Sequence, residues 1–181
     1  MPEGAETWMP LLFAFGLVNV IYGAFSAMGQ TDLKYVIGYS SVSHMGYVLM
    51  GIATLNVLGM SGAVLQMFSH GVMTALFFAV VGMIYERTHT RDTLVLNGLT
   101  KKMTIIAIFF AMAGLTSIGL PGLSGFPAEL LIFIGVFKSY AIWGLIGGSL
   151  AIEGWELQQC IFSDYYRAYS WGPCRRNGMI S

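Results

Sequence analysis

Four ionisable side chains that could carry protons lie within or beside long apolar stretches of this 181-residue sequence: Lys34, His44, His70 and Glu129. Lipid cannot solvate such groups, so they must face the interior of a helix bundle or a wet cavity. A neutral histidine can accept a proton at one ring nitrogen while donating from the other. These residue types therefore predict proton transfer along a polar path inside a membrane.

Helical spacing collects further polar residues onto the same faces. At 100° per residue, the side chains that fall on one side of the second apolar stretch are Lys34, Ser40, Ser41 and His44, with His44 about 15 Å deeper than Lys34. In the third stretch, Gln66, His70 and Thr74 repeat at i, i+4 and i+8. We expect Ser41, Gln66 and Thr74 to support the path by helping to hold water.

Glu129 follows a segment that cannot be regular helix. The run from Leu120 to Pro127 contains Pro121, Gly122, Gly125 and Pro127, which remove hydrogen-bond donors and loosen the backbone. Broken helices at membrane depth are common at transporter ion sites, and a helix start favours a carboxylate. A carboxyl group held between burial and a nearby cation can load and release protons near neutral pH.

Structural roles remain open for each of these residues. His44 or His70 alone could hydrogen-bond a neighbouring carbonyl, Ser and Thr could bond back to their own helix, Lys34 could reach the membrane surface, and Glu129 could start a helix there. A metal site of His44, His70 and Glu129 is disfavoured, because the three lack ligand-pair spacing. No nucleotide-binding motif is present, so we expect no catalytic, cofactor or metal site in the chain.

The composition is that of an integral membrane protein. Apolar residues make up 56% of the chain and charged residues 10%, against about 25% charged in soluble domains. This excludes a disordered chain, a nucleic-acid binder and an ordinary soluble enzyme. The two cysteines, Cys160 and Cys174, exclude a disulfide scaffold and a Cys-rich metal or iron–sulfur site.

The apolar stretches are long and do not alternate, which predicts an all-α bundle of about four to five transmembrane helices within residues 1–152. The predicted spans are residues 8–29, 35–54, 60–85 and 103–140, followed by a short apolar stretch at 141–152. The fourth span is interrupted near 119–127. It is either one broken helix or a hairpin of two short helices.

The basic residues predict the orientation. With one broken helix at 103–140, the loop at 86–102, the tail and the Asp32–Lys34 junction share a side that holds every Lys and Arg except Lys138. We place this side in the cytoplasm and the N-terminus outside. The hairpin alternative would send the tail out, which fits the basic residues less well.

Several ordered motifs resemble those of a known family. The runs QTDLK (30–34), YSSVSHMG (39–46) and QMFSHG (66–71) are similar to the antiporter-like, proton-translocating membrane subunits of NADH:quinone oxidoreductase, respiratory complex I. The runs YERTHTR (85–91) and GLPGLSGF (119–126) resemble the subunit M type, the mitochondrial subunit 4 type. The resemblance covers residues 2–140.

The resemblance implies the second of two inverted repeats, with the helix break at 119–127. It places the family's histidines on His44 and His70, its broken-helix acid on Glu129 and its T-D-x-K lysine on Lys34. Pro127 stands where the family usually has an aliphatic residue. The chain would be a fragment of the proton-pumping subunit, in the cell inner (plasma) membrane among the complex's other membrane subunits.

The resemblance also implies that NADH, FMN, iron–sulfur clusters and quinone are bound by partner subunits. Two alternatives stay open: a cation/proton antiporter or membrane-bound hydrogenase subunit of the same superfamily, and a truncated membrane fragment that pumps nothing. Residues 153–181 form a polar, aromatic tail that interrupts the family's next helix. We expect this tail to be poorly ordered or to come from a frameshift.

Overall fold

A computed structural model describes residues 2–92 and 103–140, with side chains from residue 4 onward. The predictions for 93–102, for the short apolar stretch at 141–152 and for the tail at 153–181 lie outside these residues. Within them the chain forms five helices: α1 Pro2–Met28, α2 Leu33–Ala53, α3 Val57–Thr88, α4 Thr104–Ser117 and α5 Gly125–Ser139. The prediction of an all-α membrane helix bundle is confirmed.

The first three helices are each long and apolar enough to cross a membrane. Short turns connect α1 to α2 and α2 to α3, and a capping side chain stands at the start of both α2 and α3. Asp32 caps α2 by accepting a hydrogen bond from the Lys34 backbone N–H at 2.8 Å. Asn56 caps α3 in the same way through Gly59 N–H at 2.7 Å. Side-chain oxygens at these positions satisfy donors that a helix start leaves unpaired.

Glycines let the helices approach closely where they cross. A Cβ atom on Gly23 of α1 would lie 2.6 Å from the Ser43 backbone nitrogen of α2, and one on Gly62 of α3 would lie 2.8 Å from the Ile132 nitrogen of α5. The Ser43 hydroxyl also donates to the Val20 carbonyl at 3.2 Å. Small residues and interhelical hydrogen bonds of this kind hold membrane helices together.

Helices α4 and α5 form one broken span and not a hairpin. Along α3, from its C-terminal half toward its start, Phe77 packs on Phe110 of α4 with ring centroids 5.5 Å apart. Ser69 then contacts Ser124 at 2.8 Å, and Asn56 bonds the Gly135 carbonyl of α5 at 2.8 Å. Both halves therefore run antiparallel to α3 in one direction. The described chain ends at Tyr140, on the side opposite Asp32, because one broken span crosses the bundle once. The expectation from the sequence that one broken helix returns the chain to the side of the Asp32–Lys34 junction is therefore wrong at Tyr140.

The break itself spans residues 118–124. The Gly119 N–H bonds the Thr116 carbonyl and the Leu120 N–H bonds the Leu115 carbonyl, with Gly119 at φ 68°. This is the Schellman arrangement, which needs a left-handed residue and so favours glycine. Pro121 and Gly122 (φ 108°) lie within the break.

Gly125 and Pro127, which the sequence assigned to the break, are instead the first and third residues of α5. Proline is tolerated there, because the first amides of a helix have no intrahelical partner.

Two large apolar clusters fill the described bundle at different depths, and a small one of Ala27 and Val36 lies beside them. One contains Leu33, Ile37, Met73, Phe77, Val80, Val81, Ile84, Met103, Ile106, Phe110 and Ala113. The other contains Phe13, Val20, Tyr47, Met50, Ala53, Ile132 and Val136. Between them, at the level of the helix break, lies a layer of buried polar side chains.

Candidate functional site: a buried polar cluster at the helix break

His44 lies at the middle of this polar layer and is 2% exposed. Its Nε2 is 3.2 Å from the Ser117 hydroxyl oxygen at the end of α4. Its Nδ1 is 3.3 Å from the Gln66 amide nitrogen on α3. Helix α2 thus presents an imidazole whose two nitrogens each face a polar group from a different helix.

Glu129 reaches the same histidine from α5. Its Oε1 lies 3.7 Å from His44 Nδ1, and the side chain is buried. The close contact of α5 with α3 at Gly62 sets the depth of Glu129, which sits one turn after the break. The 3.7 Å separation is longer than a hydrogen bond, so a proton would pass between this buried carboxyl group and the imidazole through a bridging water or after a small approach of the side chains.

His70 completes the cluster from α3, one turn beyond Gln66. Its ring centroid lies 5.0 Å from that of His44, and its backbone carbonyl accepts the Thr74 hydroxyl. We call His44, Gln66, His70, Ser117 and Glu129 the central polar cluster. Four helices contribute to it, so its geometry depends on the whole bundle.

Two buried atoms of the central polar cluster have no hydrogen-bond partner among the described residues: Gln66 Oε1 and His70 Nδ1. Buried polar atoms in proteins are nearly always paired, with protein or with ordered water. Polar sites of this kind are the places where internal water is held. The arrangement suits a hydrated chain of proton donors and acceptors.

Three predicted path residues lie away from this cluster. Lys34 is exposed at the start of α2, about three turns before His44. The Ser41 hydroxyl donates to Ile37 O of its own helix at 2.9 Å, and Thr74 bonds its own helix at His70. Ser41 and Thr74 thus make the back-bonding contacts that the structural interpretation of these residues requires.

Ser117 is the member that sequence reasoning missed. It lies in α4, two residues before Gly119, and its position beside His44 depends on how the break orients that helix end. The available signal was a hydroxyl residue just before a glycine-rich break inside an apolar span. Ser69 and Ser124, which join α3 to the break, were missed for the same reason.

The chain belongs to the NADH:quinone oxidoreductase/Mrp antiporter transmembrane family, whose sequence model matches residues 1–152. NAD(P)H-quinone oxidoreductase chain 4 1 of Synechococcus elongatus is 48% identical over 139 residues, covering 77% of this chain and 26% of that protein. NAD(P)H-quinone oxidoreductase chain 4 of Gloeobacter violaceus is 47% identical over 135 residues, covering 75% and 26%. The chain therefore spans about a quarter of the length of these curated relatives.

Solved structures share the fold. A chain of respiratory complex I from Thermus thermophilus with bound NADH superposes with a TM-score of 0.88 at 29% identity, covering 94% of this chain and 36% of that one. A chain of the Mrp complex from Dietzia sp. superposes with a TM-score of 0.87 at 22% identity, covering 94% and 32%. The family resemblance predicted from the sequence motifs is confirmed.

Proposed function

We propose that this chain is the part of a proton-translocating subunit of NADH:quinone oxidoreductase that carries one proton-exchange site. The complex would oxidise NADH and reduce a quinone in other subunits, which hold NADH, FMN and iron–sulfur clusters. This chain would move protons in response. The observation that carries the proposal is the buried contact of Glu129 with His44, 3.7 Å apart, beside two buried polar atoms without a protein partner.

In this proposal Glu129 loads and releases the proton, and His44 and His70 pass it along the layer. Gln66 and Ser117 orient the His44 ring. Lys34 would act at the cytoplasmic mouth of the path, since its exposed position puts it in contact with a solvated end of the bundle. Water bridges the gaps between groups that do not touch.

The same proposal gives the chain its surroundings. It would lie in the cell inner membrane, in contact with lipid and with other membrane subunits of the complex. The Asp32 and Asp92 backbones pair at one end of the bundle, which supports a common side for this junction and the loop at 86–102. We infer that this side is cytoplasmic. The tail would reach it only if residues after Tyr140 cross the membrane once more.

A cation/proton antiporter is the second candidate, because the family model spans both kinds of protein. The two functions differ in what drives transport. In inverted membrane vesicles, the proposed function requires acidification of the vesicle interior when NADH is added. An antiporter would instead release a preformed proton gradient when sodium is added.

The direct test is Glu129→Ala in the assembled membrane complex. We expect NADH-driven proton uptake to fall at least about tenfold, the effect expected of losing a proton-transfer group, while the amount of assembled complex is unchanged. Glu86→Ala is the matched control, because Glu86 is exposed at the end of α3 and should pump normally. Normal pumping by Glu129→Ala would contradict the proposal.

A further inference from the structure

The Gln66 side chain contacts His44 at the middle of the central polar cluster, yet one of its own polar atoms has no hydrogen-bond partner among the described residues. It is 2% exposed. Its amide nitrogen lies 3.3 Å from His44 Nδ1, while its Oε1 is buried without a hydrogen-bond partner in the described part of the chain. The Gln66 amide therefore points its N–H donor at His44, while its oxygen acceptor has no donor to pair with.

This contact fixes where neutral His44 carries its proton. An amide nitrogen can only donate, so Nδ1 must accept and the ring proton must lie on Nε2. There it donates to the Ser117 hydroxyl, 3.2 Å away. The nitrogen without a proton is thus the one that lies 3.7 Å from Glu129 Oε1. Its single lone pair accepts the Gln66 N–H, so it can receive a proton from the Glu129 side only as that amide turns away.

A proton on His44 Nδ1 would make the present orientation of the Gln66 amide unfavourable. Nδ1–H and the Gln66 amide N–H would then be two donors facing each other at hydrogen-bond distance. A half-turn about the last side-chain bond of Gln66 exchanges the nitrogen for the oxygen, and these two ends have nearly the same shape. The unmatched Oε1 would then accept the Nδ1–H.

We propose that Gln66 is a positioning residue whose amide turns with the proton on His44, donating to Nδ1 when His44 is neutral and accepting from Nδ1–H when it is protonated. The proposal rests on the proposed function, because it takes His44 as a proton carrier. It adds that the path contains a rotating part, and that this part sets the ring nitrogen at which the proton enters.

The proton balance is as follows for one transfer. The Glu129 O–H bond breaks and an N–H bond forms at His44 Nδ1, leaving a carboxylate and an imidazolium. The imidazolium then gives its Nε2 proton to the Ser117 oxygen as that hydroxyl releases its own proton to a water molecule. His44 is then neutral with its proton on Nδ1, and Gln66 Oε1 still accepts that N–H. The starting arrangement returns when Nδ1 gives this proton to a water molecule, the Ser117 hydroxyl passes a proton from a second water molecule back to Nε2, and the amide turns back.

The tautomer of His44 tests the first half of the proposal. The chain has three histidines, so ¹⁵N-histidine NMR of the full chain in lipid bilayers can be assigned with single His70→Ala and His89→Ala variants. We expect neutral His44 to carry its proton on Nε2. In Gln66→Met the ratio of the Nε2–H to the Nδ1–H form should fall about fivefold, the factor that one ordinary hydrogen bond supplies.

Gln30→Met is the matched control, since Gln30 bonds the Ser26 carbonyl at 3.3 Å near the end of α1, outside the cluster. It should leave the ratio unchanged. If Gln66 only filled space, Gln66→Met would leave the tautomer ratio of His44 unchanged as well. An unchanged ratio in Gln66→Met, or a proton on Nδ1 in the neutral unsubstituted chain, would overturn the proposal.

The rotation can be measured without relying on a variant that must fold. Infrared difference spectra of the chain with ¹³C-labelled glutamine, taken with His44 neutral and protonated, should show one side-chain carbonyl band moving to lower frequency as Oε1 gains a donor. Absence of that movement rules out the turn. Failure of the proposed function is a separate result, because it is read from pumping by Glu129→Ala and not from the state of His44.

Discussion

The bundle has two polar regions on the α3–α5 interface, and they are built differently. The Asn56 cluster, formed by Thr54, Asn56, Ser139 and Tyr140, joins the end of α5 to the turn between α2 and α3. The Asn56 amide donates to the Gly135 carbonyl and the Ser139 hydroxyl, both at 2.8 Å. Ser139 donates to the Thr54 carbonyl, and the Tyr140 hydroxyl to the Ala53 carbonyl.

In the Asn56 cluster, side chains mostly bond backbone carbonyls, whose positions the helices fix. In the central polar cluster, side chains bond other side chains, and two atoms lack a protein partner. Contacts to backbone hold one arrangement, whereas contacts between titratable or rotatable side chains allow more than one. The first region is suited to joining helices and the second to changing its protonation state.

Shortening the Glu129 side chain should have the largest effect on proton uptake without an effect on stability. In Glu129→Asp the carboxylate withdraws by about one methylene from His44, lengthening a gap that is now 3.7 Å. We expect proton uptake per assembled complex to fall severalfold while staying above that of Glu129→Ala, with the melting temperature unchanged. Equal uptake by the Asp and Ala variants would show that the carboxyl group itself is not what transfers the proton.

Asn56→Ala should have the opposite effect, a loss of stability without a loss of proton uptake. It removes the cap of α3 and two bonds to α5, so the free energy of unfolding should fall by about 2–3 kcal/mol, measured by thermal unfolding of the chain in detergent. Asn56→Ser keeps a capping oxygen and should lose less. Pumping per assembled complex should be unchanged in both. A pumping defect here would mean that the two regions are not independent.

His44→Ala should reduce proton uptake by less than Glu129→Ala, by a few-fold, because water can occupy the space and replace a neutral relay group. His70→Ala should behave similarly. Uptake rates in vesicles with matched amounts of complex provide the measurement. If either single variant pumps as poorly as Glu129→Ala, that histidine is an obligatory carrier.

Ser41→Ala and Thr74→Val should have the smallest effects. Both hydroxyls bond carbonyls of their own helices, so removing them leaves no unpaired group from another helix, and proton uptake should stay within about twofold. Gln66 lies on the same stripe of α3 as Thr74 but contacts another helix, so proton uptake by Gln66→Met is the informative comparison with uptake by Thr74→Val. A large loss in Thr74→Val would extend the central polar cluster by one turn along α3.

The sequence predicted the helices and the central residues because both follow from one-dimensional rules. Hydropathy marks the spans, and a polar residue in a span must face inward, which places His44, His70 and Glu129 together. Ser117 could not be placed, since its position depends on the angle at which α4 leaves the break. Lys34 shares a helical face with Ser41, yet in the structure it is exposed at the start of α2.

The backbone pairing between the start of α2 and the residues after α3 bears on which substitutions the chain can accept. Leu33 N–H bonds the Arg91 carbonyl at 3.2 Å, and residues 32 and 92 form an isolated antiparallel bridge. Backbone groups are the same in every residue except proline. The backbone pairing itself therefore persists when the side chains of residues 91 and 92 change among descendants of this sequence, although a change at 91 removes the contact of Arg91 with the Tyr85 ring, 4.1 Å away. Proline at position 33 would remove the donor of the pairing.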